Sequence, residues 1–365
     1  MPLNCGIVGL PNVGKSTIFN ALTQTQSAQA ANYPFCTIEP NTGLVTVPDA
    51  RLWVLKDIAK TNKVIPQRLE IVDIAGLVKG ASKGEGKGNA FLGAIKSVDA
   101  VLHVVRCFED PDVVHVDGSI DPVRDIEIID LELLLKDEET VKSAFDRTRK
   151  RAQLDKEAAI RLPTLELVVN AFKELKPVRA LGLTDEQQAH IADLHLITAK
   201  AMLFVCNIGE CDIAKGGNKH SAAVEAHAAK VGAKAIRISG KIESELVGLS
   251  GEERTAFMQD LGITEPGVDL LVRAGYDLLG LATYFTAGEK EVRAWQFRRG
   301  WKAPACAGVI HTDFEKGFIR AEIASYADYV ALKGEKGCRE AGKLRAEGKD
   351  YVMQDGDVCH FLFAK

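Results

Sequence analysis

The feature that most constrains this chain is a glycine-rich segment near its start, residues 9–17, which reads Gly-Leu-Pro-Asn-Val-Gly-Lys-Ser-Thr. It matches the phosphate-binding pattern G-x-x-x-x-G-K-[ST]. An apolar run at residues 4–8 precedes it, and residues 18–22 begin a helical pattern. A strand, a tight turn and a helix N-terminus direct backbone N–H groups and the positive end of the helix dipole to one point. The segment therefore predicts a site for a phosphate chain.

Six residues of this segment are predicted to bind nucleotide: Asn12, Val13, Gly14, Lys15, Ser16 and Thr17. Lys15 is predicted to be catalytic, because its ammonium group would reach the β- and γ-phosphates, and the Ser16 hydroxyl is predicted to bind Mg²⁺. A glycine turn that only joins a strand to a helix is the alternative. The complete motif and its two flanks disfavour that alternative.

Strand and helix patterns alternate over the first hundred residues. Further strands are predicted at residues 42–47, 68–73 and 100–105, and the last is almost continuously apolar. Such a run is typical of a parallel sheet covered on both faces. The pattern predicts a doubly wound α/β fold of the phosphate-loop type.

The pattern changes after about Asp125 to a long, charged segment with helical periodicity. We predict that residues 126–200 form an inserted helical hairpin, with Pro163 at a turn or a helix start. Surface helices packed on the domain are the alternative. Strand patterns return at residues 201–206 and 234–239, and a β-rich module begins near residue 281. The predicted parts are 1–125 and 201–280 for the nucleotide domain, 126–200 for the insertion and 281–365 for the C-terminal module.

Composition narrows the class of protein only slightly. The 365 residues carry a formal net charge of −4, and no apolar run approaches the length of a membrane span. The first strand starts too early for a signal peptide to precede it. None of the eight cysteines forms a C-x-x-C pair, so reduced thiols are expected. We therefore expect a cytoplasmic protein without a membrane anchor, and a monomer.

A nucleotide switch also needs a second Mg²⁺ ligand and a sensor of the γ-phosphate, and both have candidates in the expected order. Thr37 ends the segment Asn-Tyr-Pro-Phe-Cys-Thr at residues 32–37 and is predicted to close on Mg²⁺. The D-x-x-G segment at residues 73–76 would bring the Asp73 carboxylate to Mg²⁺ and the Gly76 N–H to the γ-phosphate. The predicted metal ligands are thus Ser16, Thr37 and Asp73.

The segment that would read the base departs from the Ras-type pattern N-K-x-D. Here the strand ends in Asn207-Ile208-Gly209-Glu210. Glutamate is one methylene longer than aspartate, so a bidentate fit to guanine is not assured, and a site that leaves guanine's donors unpaired loses its discrimination against adenine. Ile208 replaces the lysine that usually packs beneath the base. Ser239 and Gly240 are predicted to support the base from its other side.

Hydrolysis is predicted to be slow. In Ras-type proteins the glutamine after D-x-x-G orients the attacking water, and here that residue is Leu77. His103, His115, a backbone carbonyl or a cation are alternatives for this task. We assign it to His115, which lies in a polar loop after the strand ending near Cys107. Asn12 is either a solvated side chain or a group that holds K⁺ beside the phosphates.

Together these segments resemble the Obg-like ATPase family, known in bacteria as YchF. The resemblance rests on residues 9–17, 32–37, 73–77 and 207–210, and on two tail segments, 311–320 and 348–357, which resemble the family's C-terminal TGS domain. It covers essentially the whole chain. Cys36 stands where Obg relatives commonly have threonine.

The resemblance implies a G domain with an inserted coiled-coil arm and a C-terminal β-rich TGS domain. It also implies ATP preferred over GTP, a requirement for Mg²⁺, stimulation by K⁺, and association with the ribosome and ribosomal RNA in translation or stress responses. Two alternatives stay open. One is an Obg-class GTPase, and the other is a non-catalytic ribosome or RNA adaptor.

The C-terminal module also carries a short basic span. Three- and four-residue spacings within it would place several cations on one face if the span were helical, which would suit RNA phosphates. Its basic residues are Lys333, Lys336, Arg339, Lys343, Arg345 and Lys349.

Overall fold

The computed structural model describes residues 3–30, 41–74, 87–113 and 118–364. The chain divides into two compact units. The first unit consists of Met1–Val45 and Glu70–Leu271, and the second consists of Thr46–Leu69 and Val272–Lys365. Among the described helices, none combines the length and apolar character that crossing a membrane would require.

The strands of the described residues, in chain order, are β1 (Asn4–Val8), β2 (Thr42–Thr46), β3 (Val64–Ile65), β4 (Arg68–Asp73), β5 (Ala100–Cys107), β6 (Ala201–Ile208), β7 (Lys234–Ile238), β8 (Leu281–Ala287), β9 (Val292–Arg298), β10 (Phe318–Ser325), β11 (Arg345–Glu347) and β12 (Asp357–Phe363). The α-helices are α1 (Lys15–Ala30), α2 (Arg51–Ala59), α3 (Lys87–Ser97), α4 (Pro122–Arg151), α5 (Lys156–Lys173), α6 (Asp185–Ile191), α7 (Glu210–Ile213), α8 (Lys219–Lys230), α9 (Gly240–Val247), α10 (Gly251–Asp260), α11 (Gly267–Leu278), α12 (Ala303–Ile310), α13 (Thr312–Lys316), α14 (Tyr326–Ala331) and α15 (Glu335–Glu340).

A six-stranded sheet in the order β2-β4-β1-β5-β6-β7 is the centre of the first unit. Strands β4, β1, β5, β6 and β7 run parallel, so their carboxyl ends meet at one edge. Every residue of β5 is buried, and so is every residue of β6 after Ala201. Because successive side chains of a strand point to opposite faces, both faces of the central strands are covered. The predicted α/β fold is confirmed.

The strand order places a topological switch point at β1. The chain reaches β4 on one side of β1 and then crosses to β5 on the other. In such sheets ligands bind outside the carboxyl ends of the strands at this point. The predicted phosphate loop follows β1 directly, so the fold places it at the expected location.

The insertion is a helical hairpin whose two halves have different surroundings. The N-terminal half of α4 packs on β5 and α8, with Ile126 and Ile129 fully buried. Its C-terminal half pairs with α5 through a core that includes Val141, Leu165 and Val168. The prediction of Pro163 at a turn or helix start is wrong, because it lies inside α5.

Buried polar bonds fix the base of this hairpin. The carboxylate of Asp137, on α4, is fully buried. It accepts hydrogen bonds from the Ile197 N–H at 3.0 Å, the Thr198 N–H at 2.7 Å and the Thr198 hydroxyl at 2.7 Å. Burial raises the pKa of Asp137 above its usual value. The chain that follows the hairpin is thereby joined to α4 just before β6 begins.

The second unit is built on a sheet in the order β11-β10-β12-β8-β9-β3. Its core includes Tyr284, Phe297 and Phe361, with the Tyr284 and Phe361 rings edge to face at 5.6 Å. The unit differs from the predicted module because it also contains residues 46–69, which were assigned to the nucleotide domain. The reason is packing: β3 pairs with β9, and Leu55 is buried in a core cluster of this unit.

The basic span of the second unit is not one helix. Helix α15 ends at Glu340, and the span continues through a turn into β11. Arg339 bonds to Glu322 and Glu335, at 3.1 and 2.8 Å. Arg345 donates to Glu347 at 3.0 Å. The predicted single face of cations is therefore wrong, because the span is broken and its arginines are bound by carboxylates.

Candidate nucleotide-binding site

The phosphate loop connects β1 to α1 through backbone that requires glycine. A Cβ on Gly9 would lie 2.7 Å from the carbonyl oxygen of Val104. Gly14 has φ 87°, and a Cβ there would collide with the amide of Asn207. Asn12 also adopts a left-handed conformation, with φ 62°. The loop thus turns sharply and presents the start of α1, where the first N–H groups have no acceptor within the helix.

Lys15 and Asp73 meet at the mouth of this loop. The Lys15 Nζ donates a hydrogen bond to Asp73 Oδ1, and both side chains are largely buried. Asp73 is the last residue of β4 and is paired with Ile7 of β1, so the sheet register brings its carboxylate beside the loop. Lys15, Ser16 and Asp73 line one cleft of about 590 Å³. Phosphate oxygens that entered this cleft would compete with Asp73 for the same ammonium group.

The oxygen atoms in this cleft suit Mg²⁺. The Ser16 hydroxyl is on the exposed first turn of α1, and the Asp73 carboxylate lines the same cleft. Hydroxyl and carboxylate oxygens, completed by phosphate oxygens and water, are the ligands that Mg²⁺ prefers. Ser16 and Asp73 therefore fit the predicted role of metal ligands.

On the other side of the phosphate loop, where the base is predicted to lie, the Asn207 amide joins this loop to the segment before α9. It is 5% exposed. Its Nδ2 donates to the carbonyl of Val13 at 2.9 Å, and its Oδ1 accepts from the N–H of Gly240 at 2.9 Å. The phosphate loop and the segment before α9 are thus held together by one side chain. This is a positioning role, and sequence reasoning had assigned Asn207 only to nucleotide contact.

A second cleft, of about 610 Å³, adjoins this junction. Ile208, Glu210, Ser239 and Lys241 line it. Asn12, Gly14 and Thr17 line both clefts. A ligand could therefore place a phosphate chain on one side of the loop and a base on the other.

Three side chains of this cleft bear on the predicted choice of base: Glu210, Ser239 and Ile208. Glu210 Oε2 accepts a hydrogen bond from Lys241 Nζ at 2.9 Å, so its carboxylate is already neutralised. The Ser239 hydroxyl is buried and has no hydrogen-bond partner among the described residues, which makes it available to a ligand. Ile208 is 2% exposed, and its side chain forms part of the cleft wall.

Arg106 was missed by the sequence analysis. Its side chain is buried at the end of β5. It donates to the carbonyls of Phe108, Asp110 and Val113 at 3.3, 3.2 and 2.9 Å, and its guanidinium lies 4.6 Å from the centre of the Phe108 ring. These bonds hold one wall of the base-end cleft. An arginine near the end of a buried and largely apolar strand was the signal for such a role.

The structure excludes His103 as the group that positions the attacking water, and three other predicted site residues lie outside the described part of the chain. His103 is buried within β5, between Val8 and Phe204 in the strand register, and lines neither cleft. Its alternative role in hydrolysis is therefore wrong. Thr37, Gly76 and His115 lie outside the described residues.

Comparisons with known proteins agree with this geometry. Residues 4–145 match the family described as 50S ribosome-binding GTPase, and residues 281–364 match YchF-GTPase_C, described as a protein of unknown function. The ribosome-binding ATPase YchF of Bacillus subtilis is 54% identical over 365 residues, with all of both chains covered. The protein of the same name from Escherichia coli O157:H7 is 50% identical over 364 residues and covers 100% of this chain and 99% of the relative.

A solved structure is also similar to this chain over almost its whole length. The YchF GTPase of Schizosaccharomyces pombe superimposes with a TM-score of 0.90 at 40% identity, covering 99% of this chain and 97% of that one. The similarity thus includes both units and the helical insertion. Because relatives at 50–54% identity are matched over essentially their full length, this chain belongs to the YchF family.

Proposed function

We propose that this chain is a Mg²⁺-dependent ATPase whose nucleotide state controls its association with the ribosome. Its bacterial relatives carry the name ribosome-binding ATPase. One observation carries the catalytic part of the proposal. Lys15 and Asp73 meet beside the N-terminus of α1, at the sheet edge where phosphate-binding folds place their ligand.

Each residue of the first cleft, which Lys15, Ser16 and Asp73 line, has its own role in the proposed chemistry. Backbone N–H groups at the start of α1 bind the phosphate oxygens. The Lys15 ammonium group moves from Asp73 to the β- and γ-phosphates, where it stabilises the charge of the transition state. Ser16 and Asp73 would hold Mg²⁺, with Thr37 as a further proposed ligand. When bound, the ion would neutralise charge on the phosphate oxygens.

Three further assignments complete the proposed site. The Gly76 N–H contacts the γ-phosphate, and His115 positions the attacking water because Leu77 cannot. Asn12, in its left-handed conformation at the edge of both clefts, is the proposed contact for a stimulating K⁺. Turnover without the ribosome is slow, because no glutamine follows the D-x-x-G segment.

The base-end cleft supports ATP as the preferred nucleotide. Guanine presents two N–H donors that an unpaired carboxylate would accept. The carboxylate of Glu210 is instead bonded to Lys241. Guanine would have to displace Lys241 or leave its donors unpaired, and unpaired donors weaken binding. Adenine does not present this pair of donors.

An Obg-class GTPase is the second candidate, because the Schizosaccharomyces pombe relative is named a GTPase. A non-catalytic adaptor is the third. We place the activity in the cytoplasm, where ribosomes act.

The test measures affinity by calorimetry and hydrolysis at steady state, for Mg-ATP and Mg-GTP, with the full-length chain. We expect ATP to bind more tightly than GTP. We also expect Lys15→Ala to lower the hydrolysis rate by about a hundredfold or more, because the variant lacks one donor that stabilises the transition state. Lys230→Ala is the matched control, because Lys230 is an exposed lysine at the end of α8.

Each alternative predicts a different result. Tighter binding and faster hydrolysis of GTP would support the GTPase. Binding of ATP without hydrolysis, even with ribosomes, would support the adaptor. Unchanged turnover in Lys15→Ala would mean that this loop is not the active site.

A further inference from the structure

The end of the α4–α5 hairpin, residues 144–161, is here called the arm tip. It lies in the first unit, and no part of the proposed nucleotide site includes it. Its sequence holds six basic and three acidic side chains, a local excess of positive charge in a chain whose net charge is −4. The basic residues are Arg147, Arg149, Lys150, Arg151, Lys156 and Arg161.

Most of this charge is not neutralised within the described part of the chain. Arg151 bonds to Asp155 at 2.6 Å and Arg161 to Asp193 at 2.7 Å. The other four basic side chains are exposed, and no carboxylate of the described residues lies within ion-pair distance of them. The free cations of the arm tip are Arg147, Arg149, Lys150 and Lys156.

The backbone of the arm tip is hydrogen-bonded, which defines the positions from which the charged side chains project. The N–H groups of Leu154 and Asp155 both bond to the carbonyl of Arg151, at 2.9 and 3.0 Å. The Asp155 carboxylate then caps α5 by accepting from the N–H groups of Glu157 and Ala158, at 2.9 and 3.3 Å. A preorganised surface pays less ordering entropy when a partner binds.

Shape adds a second indication of a partner. A cleft of about 550 Å³ opens beside the arm tip. Four cations and three carboxylates line it: Arg147, Lys150, Arg151 and Arg161, with Asp155, Glu157 and Asp193. Leu154, at the turn between the helices, is 96% exposed. An apolar side chain held outwards between cations suits a partner that offers both anionic groups and apolar surface. The phosphates and the base or sugar faces of RNA have these properties.

The basic span of the second unit is ion-paired to a greater extent. Among the described residues, three of its six cations lie within ion-pair distance of a carboxylate, against two of six in the arm tip. Its two arginines are bound by Glu322, Glu335 and Glu347. Those carboxylates must be displaced or tolerated when a phosphate approaches, whereas no carboxylate of the described residues is ion-paired with the free cations of the arm tip.

We infer that the arm tip is the principal RNA-binding surface of this chain and contacts the phosphate backbone of ribosomal RNA. The inference rests on the proposed association with the ribosome. It adds the location and the chemical class of the contact.

The test compares three full-length proteins for binding to purified ribosomes across a series of salt concentrations. The tip variant carries Arg147→Gln, Lys150→Gln and Lys156→Gln. The control variant carries Lys142→Gln, Lys173→Gln and Lys176→Gln, which removes the same charge from exposed positions of the same hairpin. A separate Leu154→Ser variant tests the apolar contact.

We expect the affinity of the tip variant for ribosomes at low salt to be lower than that of the wild type by about tenfold or more. The slope of log K against log salt should become less steep by about two, because three phosphate contacts are lost. The control should lose much less. Leu154→Ser should lower affinity without changing the slope. Hydrolysis of ATP without ribosomes should stay at the wild-type rate in all three, which also shows that they are folded.

The outcomes separate this inference from the proposed function. If the wild type does not bind ribosomes at low salt, the proposed function is wrong. If the wild type binds and the tip and control variants weaken equally, the proposed function stands and the inference is overturned. If the tip variant is weakened but protein-free ribosomal RNA does not compete for the wild type, the partner is an acidic protein surface and the RNA assignment is overturned.

Discussion

At the scale of single residues, Lys241 is bonded to Glu210, the proposed reader of the base. The two side chains are paired at 2.9 Å and both are accessible from the cleft. The ion pair itself adds little to stability, because exposed pairs typically contribute about 1 kcal/mol or less. Its effect on recognition is larger, because a charge-assisted hydrogen bond to guanine becomes available only when Glu210 is released.

We therefore predict that Lys241→Met raises the affinity for GTP relative to ATP by about tenfold, the equivalent of roughly 1.4 kcal/mol. Methionine keeps the apolar stem and removes the charge. Equilibrium titration of both nucleotides measures the ratio, with Lys230→Met as the control. An unchanged ratio would show that Glu210 does not select the base.

The sequence predicted the positions of these residues better than their contacts. The motif spacing predicted that Asn207, Ser239 and Gly240 belong to one site, and the structure brings them to one cleft. The α/β pattern fixes the end of β6 and the start of α9. The spacing could not show that Asn207 bonds to Val13 and Gly240, or that Glu210 is paired. Those contacts depend on side-chain geometry between segments about 30 to 200 residues apart.

At the scale of elements, the hairpin depends on a polar bond at its base. Asp137→Ala would leave two buried N–H groups and one hydroxyl without an acceptor. We predict a loss of about 3 kcal/mol in the free energy of unfolding, because an orphaned buried donor costs about 1–3 kcal/mol. Asp137→Asn should lose less, since one carbonyl oxygen remains.

Urea unfolding followed by circular dichroism measures this loss. Asp146→Ala, an exposed aspartate on the same helix, should change stability by about 0.5 kcal/mol or less. A similar loss in both alanine variants would mean that Asp137 has no special role.

The two wrong predictions about elements share one physical cause, which is packing between segments that are distant in the sequence. Residues 46–69 have strand and helix patterns that fit either unit, and only the pairing of β3 with β9 assigns them to the second. Pro163 breaks a local rule and is tolerated because α5 is held by its packing against α4. Strands β1 and β5, by contrast, were predicted correctly because a buried parallel strand is apolar along most of its length.

At the scale of the whole molecule, one buried histidine links stability to pH. Burial lowers the pKa of His103 from 6.5 to about 4. Asp130 opposes this shift, and Arg179 and His227, which face His103 from neighbouring elements, add to it. The unfolded chain binds a proton near pH 6.5, whereas the folded chain does so only near pH 4. Stability from this group is therefore complete above pH 6.5 and is lost as the pH falls towards 4.

Protonation of His103 should lower the free energy of unfolding of the wild type by up to about 3 kcal/mol in acid, since one unit of pKa corresponds to about 1.36 kcal/mol. We predict that His103→Leu does not show this loss. The measurement is the difference in unfolding free energy between pH 7 and pH 4.5, compared with wild type. His360→Gln, at an exposed histidine, should leave the difference unchanged. If His103→Leu also leaves it unchanged, another group controls the acid response.

A protein that acts as a nucleotide switch must bind its partner differently in two nucleotide states. The most direct measurement is the affinity of the full-length chain for purified ribosomes with a non-hydrolysable ATP analogue and with ADP, at equal salt. We predict tighter binding with the analogue, because the γ-phosphate is the group that Gly76 and Thr37 are proposed to contact. Equal affinity in the two states would contradict the account.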